Sequence, residues 1–223
     1  MTRPLPSSIT TVMSAALFIT SLSAVPVGAA QRSETEGIKE TANFVKAGGE
    51  TSSAVAEAKL RVQNTLTAYN TLVTQPSKDM KSDYKKLLNA VKDMNESLGD
   101  ARQRVTAMEA MGTTYFAGRA ASIKNIQDEQ LRAQAQQRLD ESQKRYANVL
   151  TALREAGQSL EPVRKDLADQ ITYLGSDLSP GGTASLKAQA EKLNQRAGES
   201  FGRADQAIMT ANSYFNSLKP AES

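Results

Sequence analysis

The chain has 223 residues, with 27 basic and 24 acidic side chains and neither histidine nor cysteine. Its net charge of +3 is too small for the basic surface of a nucleic-acid-binding protein. Without histidine and cysteine the chain cannot form a Ser-His-Asp or Cys-His catalytic site, a tetrahedral zinc site, the Glu-x-x-His sites of di-iron bundles or a disulfide. We therefore expect no catalytic residues, no cofactor and no metal site.

The N-terminal segment, residues 1–30, has the layout of a secretory signal peptide. One charge at Arg3 precedes an apolar run over 12–27, and small residues follow before the polar sequence that starts at Gln31. The alternative is a membrane anchor, but the run is shorter than the roughly 20 apolar residues of a spanning helix. We expect cleavage after Ala29 or Ala30, a periplasmic location and a mature chain with one domain, residues 31–223.

The first predicted helix covers about residues 33–74. Val55, Val62 and Tyr69 recur seven residues apart, which is typical of a helix that buries one narrow face. The pair Gly48-Gly49 is expected to break or fray this helix near its start, because glycine is unfavourable inside a helix. Pro76 ends the segment.

The second predicted helix, about 78–124, has the most regular pattern. Its apolar residues alternate at spacings of three and four, which predicts helices that wind around one another. The predicted core positions of this helix are Tyr84, Leu87, Val91, Met94, Leu98, Val105 and Met108.

The third predicted helix, about 128–177, contains Gly157 and Pro162. Its core positions stay seven residues apart across both breakers: Leu139, Tyr146, Leu153, Leu160, Leu167 and Leu174. This continuity favours one helix with a structural bend at Gly157 and Pro162. The alternative is a helix that restarts with Pro162 in its first turn and Ser159 as its cap.

The fourth predicted helix, about 183–218, follows a turn over residues 178–183 that contains Pro180 and Gly181-Gly182. Its close-packing column consists of Ala190, Ala197, Ala204 and Ala211, and small side chains let a neighbouring helix approach closely. Together the four segments predict an all-α protein, an elongated antiparallel bundle of about four long helices with coiled-coil-type packing.

Several local sequences resemble a family of uncharacterised bacterial envelope proteins with long helices, domain-of-unknown-function family 2959. The matching features are Tyr84-x-x-Leu-Leu, the 102–116 stretch, Lys144-Arg145-Tyr146, Pro162-Val163 and Tyr173-Leu174 with Leu178. Many members look like lipoproteins, whereas this chain lacks the cysteine that a lipid anchor needs. The resemblance implies an envelope location and long helices, and it implies no activity and no site residues.

These observations predict a non-enzymatic periplasmic rod that acts as a structural, spacer or partner-binding protein of the cell envelope. The expected partner is an envelope protein or a second copy of the chain, with no nucleic acid and with peripheral membrane contact left open. One alternative is an amphipathic helical protein that binds lipid or a membrane surface. Another is a carboxylate-based enzyme or small-ligand carrier, for which an internal cavity would be the supporting observation.

Overall fold

A computed structural model describes the chain from Val27 to Lys219, with side chains described from residue 36 onward. The part of the chain that it describes contains five helices and no strand. The helices are α1 (Val27–Thr74), α2 (Met80–Lys124), α3 (Glu129–Ser176), α4 (Pro180–Ser185) and α5 (Lys187–Ser217). Residues 1–26, which make up most of the predicted signal peptide, lie outside the described residues, and cleavage after Ala29 or Ala30 stays a prediction.

The four long helices form a bundle in which each helix contacts two neighbours. Helix α1 packs against α2 and α5, and α3 packs against the same two helices from the opposite side. Hydrogen bonds between neighbours show the antiparallel direction, because Thr51 lies beside Arg104 while Thr65, further along α1, lies beside Ala90. The all-α bundle predicted from the sequence is confirmed.

Short side chains cap three of the helices at the ends of the loops. Asp79 accepts a hydrogen bond from the backbone amide of Ser82 at 3.0 Å, and Asp128 accepts one from Leu131 at 2.8 Å. Ser179 does the same for Gly182 at 3.0 Å. Each cap satisfies a backbone amide that has no partner in the first turn of its helix, and so fixes where the helix begins.

The prediction of one helix over 183–218 is wrong at its start, and the turn predicted over 178–183 is confined to residues 177–179. Residues 180–185 form the short helix α4, and a separate helix begins at Lys187. Pro180 occupies the first helical position, where its missing amide costs nothing, and Ser179 caps the turn. A side chain at Gly182 would overlap the backbone oxygen of Asp177, so glycine is required for this tight path.

Helix α1 continues through Gly48-Gly49, so the expected break at this pair is wrong. The reason is packing: a β-carbon at Gly48 would overlap the ring of Phe215 on α5. Gly48 is buried and lets the aromatic ring lie directly against the α1 backbone. Burial of that ring offsets the helix propensity that glycine lacks, which is about 1 kcal/mol relative to alanine.

Helix α3 runs without interruption from Glu129 to Ser176, with Pro162 inside it. The alternative in which a helix restarts at Pro162 is therefore wrong. The Ser159 hydroxyl donates to the Ala156 carbonyl of the same helix at 2.8 Å. The buried hydroxyl of Ser200 on α5 lies 2.8 Å from the Ser159 carbonyl and binds α3 to α5 one turn before the proline.

The buried apolar side chains form two core clusters, one toward each end of the bundle. The first core cluster includes Val62, Leu87, Leu167 and Leu193, and the second includes Phe44, Met108, Tyr146 and Phe215. None of the described helices is long and apolar enough to cross a membrane.

Most predicted core positions are buried, and they divide between the two clusters. Three are only half-buried: Tyr84, Val91 and Val105. The buried positions on α2 and α3 are Leu87, Met94, Leu98, Met108, Leu139, Tyr146, Leu153, Leu160, Leu167 and Leu174. The alanine column of α5, namely Ala190, Ala197, Ala204 and Ala211, is at most 1% exposed.

Candidate functional site

Helix α5 ends well before the helices around it. Its last residue, Ser217, accepts a hydrogen bond from Arg145 of α3 at 3.1 Å. Helix α3 extends from Arg145 back to Glu129, a further 16 residues, which at 1.5 Å per residue is about 24 Å of helix. Over this length the described chain has three helices, α1, α2 and α3, and none in the position that α5 occupies elsewhere.

Two adjoining grooves lie where α5 would continue if it were longer. One lies between α2 and α3 with a volume of about 1040 Å³, and the other lies between α1 and α2 with about 650 Å³. Arg119, Ser122 and Leu218 line both grooves, so the two form one depression beyond the C-terminal end of α5. We call this depression the end trough.

The walls of the end trough carry large apolar side chains that water contacts. Leu131 on α3 is 57% exposed and Ile38 on α1 is 59% exposed. Ile123 and Ile126 line the α2–α3 groove and are half-buried, and Leu139 continues the apolar surface into the core. Apolar side chains on the facing surfaces of three helices are typical of a contact that a further helix would cover.

The α2–α3 side of the end trough is also positively charged. Arg119, Arg138 and Lys144 make no ion pair with the side chains described between residues 36 and 219. The one acidic residue of this groove, Glu141, accepts a hydrogen bond from Gln137 at 3.0 Å. Three exposed cations beside an apolar surface favour a ligand that carries negative charge.

Aromatic rings support the end trough from below. Phe44 of α1 stacks on Tyr115 at 4.4 Å between ring centroids and lies 5.2 Å from both Tyr146 and Phe215. The ring of Phe116 meets Phe44 edge-on and also lines the α2–α3 groove. Because rings from all four long helices interlock here, the end of the trough nearest the core is rigid.

The buried hydroxyl of Tyr146 donates to the Met108 carbonyl across the cluster, at 2.6 Å. Burial disfavours the charged phenolate, so it raises the pKa of Tyr146 and brings the pKa of Tyr69 and Tyr214 to about 12. In the unfolded chain these groups ionise near pH 10.

We expect the free energy of unfolding to fall as pH rises above about 10, because the unfolded chain then loses protons that the folded chain retains. Each such tyrosine contributes a slope of up to about 1.4 kcal/mol per pH unit between its unfolded and folded pKa. Tyr146→Phe should make this slope shallower, at a cost of about 1 kcal/mol at neutral pH for the lost hydrogen bond. Urea unfolding at pH 8 to 11.5 measures both effects, and Tyr173→Phe, at an exposed ring, is the control. An unchanged slope in Tyr146→Phe would contradict the raised pKa of Tyr146 in the folded chain.

The predicted core positions and the alanine column belong mainly to the interior of the bundle. Leu139 borders the end trough, and a second opening halfway along the bundle is lined by Leu98, Val105, Leu153, Leu160 and Ala204. Gly157 and Pro162 lie on α3, far from the end trough. Among the described residues no group of three or more aspartate or glutamate side chains is placed to hold a metal ion. The trough was not predicted, although one signal was available: Ile123, Ile126 and Leu131 are large apolar residues around the predicted α2–α3 loop.

Comparison with known proteins gives one match. No curated protein and no solved structure matches the chain significantly. A family model described as a protein of unknown function, DUF2959, matches residues 30–218, which include all five helices apart from the first turn of α1. The chain therefore belongs to the protein family of unknown function DUF2959.

Proposed function

We propose that the protein is a non-enzymatic component of the cell envelope whose function is to bind a partner protein at the end trough. The observation that carries this proposal is the fourth position of the bundle, which none of the helices described between residues 27 and 219 occupies, with exposed apolar walls and cations that make no ion pair with the described side chains. The occupant we propose is an amphipathic helix of the partner that carries acidic residues.

The shape of the trough favours a helix as the occupant. The trough continues the line of α5, with α1 and α3 at its sides and α2 at its base. A helix placed there would complete a four-helix cross-section at ordinary helix–helix distances of about 8–10 Å. It would cover Ile38 and Leu131, whose exposure is otherwise unfavourable, and such helix-in-groove binding is a common mode of recognition.

The charge of the trough favours acidic residues on that helix. Arg119, Arg138 and Lys144 line the same groove, so glutamate or aspartate on the edge of the bound helix would reach them. Pairs of this kind at the rim of an interface contribute mainly to the rate of association and to the choice of partner.

The length of the bundle supports a spacer role beside partner binding. Helix α3 has 48 residues, or about 72 Å at 1.5 Å per residue. The end trough is therefore held several nanometres from the loop that joins α3 to α4. The signal-peptide-like layout of residues 1–30 supports export, and a periplasmic location is part of the proposal.

Site-specific photo-crosslinking in cells tests the proposal. A photoreactive residue at Gln134, which lines the trough, should crosslink to another protein through a segment that is acidic and amphipathic. The matched control is Gln195, an exposed glutamine on α5 outside the trough, where we expect no such product. Replacing Arg119 and Arg138 by glutamate should reduce the Gln134 product about tenfold or more, with an unchanged circular dichroism spectrum.

Three results would contradict the proposal. The first is equal crosslinking at Gln134 and Gln195, and the second is a Gln134 product that the two charge reversals do not reduce. The third is a product in which the crosslinked molecule is only phospholipid, residues 1–26 of this chain or a second copy of the chain. Mass spectrometry of the crosslinked peptides distinguishes these cases. The phospholipid product would support the membrane-surface alternative.

A further inference from the structure

A cavity of about 350 Å³, open to solvent on the side between α2 and α3, lies halfway along the bundle, between the two core clusters. All four long helices contribute to it, and it is distinct from the end trough.

The cavity arises because each of the four helices places a small residue at the same level. These residues are Ala58 on α1, Ala101 on α2, Ala156 and Gly157 on α3 and Ala204 on α5. A β-carbon built at Gly157 meets no atom within 4 Å, so the space beside this glycine is open. Four backbones held apart by the core clusters above and below cannot collapse onto side chains this small.

The interior of the cavity is apolar. Its larger wall residues are aliphatic: Val55, Leu98, Val105, Leu153 and Leu160. A space lined in this way offers water few hydrogen-bond partners and is occupied more favourably by apolar molecules. Its volume lies within the range of small-molecule sites, about 300–1000 Å³.

The mouth of the cavity lies between α2 and α3 and is bracketed by two ion pairs. Arg102 of α2 pairs with Glu161 of α3 at one end, and Arg154 of α3 pairs with Glu109 of α2 at the other. On each helix the arginine precedes the glutamate by seven residues, so the two pairs are about 10 Å apart along the helices. The Glu109 hydrogen bond and charge raise the pKa of Arg154, as expected for a bound pair.

From this arrangement we propose that the cavity binds a single-chain, uncharged amphiphile. Its aliphatic chain lies among the apolar walls, and its neutral polar end lies in the mouth beside Thr106 and Gln158, both of which are exposed there. The two cations of the mouth are already neutralised by the two carboxylates. At the Arg154–Glu109 pair, a charged headgroup would have to displace one partner and leave the other without its counter-ion, whereas Glu161 at the opposite end is also held by Arg164.

Titration of the whole protein with straight-chain alcohols tests the proposal. Isothermal titration calorimetry should show saturable binding of one molecule of 1-octanol per protein chain. Thermal unfolding in the presence of 1-octanol should show an upward shift of the melting temperature. Affinity should rise about fourfold for each added methylene from 1-hexanol upward, the increment for burying one CH₂ group, and should level off once the cavity is full. Octanoate and octylamine should bind more weakly than 1-octanol.

Variants that fill the cavity provide the control. Gly157→Leu should abolish saturable binding, and Ala101→Leu should do the same from the opposite wall if the first variant does not fold. Gly99→Leu places the same side chain on α2 in open space outside the cavity and should leave binding unchanged. The proposal is overturned by absence of saturable binding, by equal binding in Gly157→Leu and Gly99→Leu, by affinity that keeps rising with chain length, or by preference for a charged headgroup.

Discussion

Gly112→Ala should destabilise the bundle by about 2 kcal/mol, although alanine is the better helix former by about 1 kcal/mol. A β-carbon at Gly112 would overlap the ring and hydroxyl of Tyr146. Forcing the ring away costs about 1–3 kcal/mol in a packed core, and loss of its hydrogen bond to the Met108 carbonyl costs about 1 kcal/mol more. Urea unfolding at pH 7 measures the free energy directly, and the melting temperature should fall by about 4–8 °C.

The matched control lies on the same helix. A β-carbon at Gly99 meets no atom within 4 Å, so Gly99→Ala should stabilise the protein by up to about 1 kcal/mol through helix propensity. Opposite signs for two identical substitutions in α2 would show that the ring contact, and not the backbone, decides the outcome. Stabilisation by Gly112→Ala would contradict the packing described for Tyr146.

Pro162→Ala should stabilise the protein by about 2 kcal/mol. Proline has no backbone amide to donate to the Gln158 carbonyl one turn earlier, and alanine restores that donor. An interior proline costs a helix about 3 kcal/mol, and its removal makes the unfolded chain more flexible, which returns about 0.4–1 kcal/mol. Because Pro162 is exposed, the substitution leaves no internal cavity. Thermal unfolding should show a rise of about 4–8 °C.

Lys165→Ala, at an exposed position one turn further along α3, is the control and should change stability by less than about 0.5 kcal/mol. A marked loss of stability in Pro162→Ala would mean that the local path of α3 at the proline is required by its neighbours. The contact most sensitive to a change in the path of α3 is the hydrogen bond from Ser200 to the Ser159 carbonyl.

The heptad spacing predicted the fold because it reports which residues each helix buries. Leu153, Leu160 and Leu167 are buried on one face of α3, and their register across Pro162 predicted one continuous helix. Gly48 could not be interpreted in the same way, because its role depends on Phe215, a residue 167 positions later in the chain. Local patterns carry helix propensity, whereas contacts between distant residues decide where propensity is overridden.

The two candidate sites, the end trough and the cavity, were not predicted from the sequence. The end trough depends on where α5 ends relative to α3, and that alignment is set by the packing of whole helices. Two features of the sequence relate to the cavity, but they can be interpreted only once the alignment of the helices is known. One is the equal spacing of Arg102 to Glu109 and of Arg154 to Glu161, and the other is the coincidence of small residues on four helices. Neither signal has meaning until the helices are aligned.

The division of the core into two clusters affects how the bundle responds to mechanical load and to local unfolding. Small residues around Gly157 separate most side chains of the first core cluster from those of the second, and Val55 packs against both clusters. We therefore expect the packing to be less cohesive at this level than within either core cluster. A load applied at one end would be relieved there first, and either half could lose order while the other kept its packing.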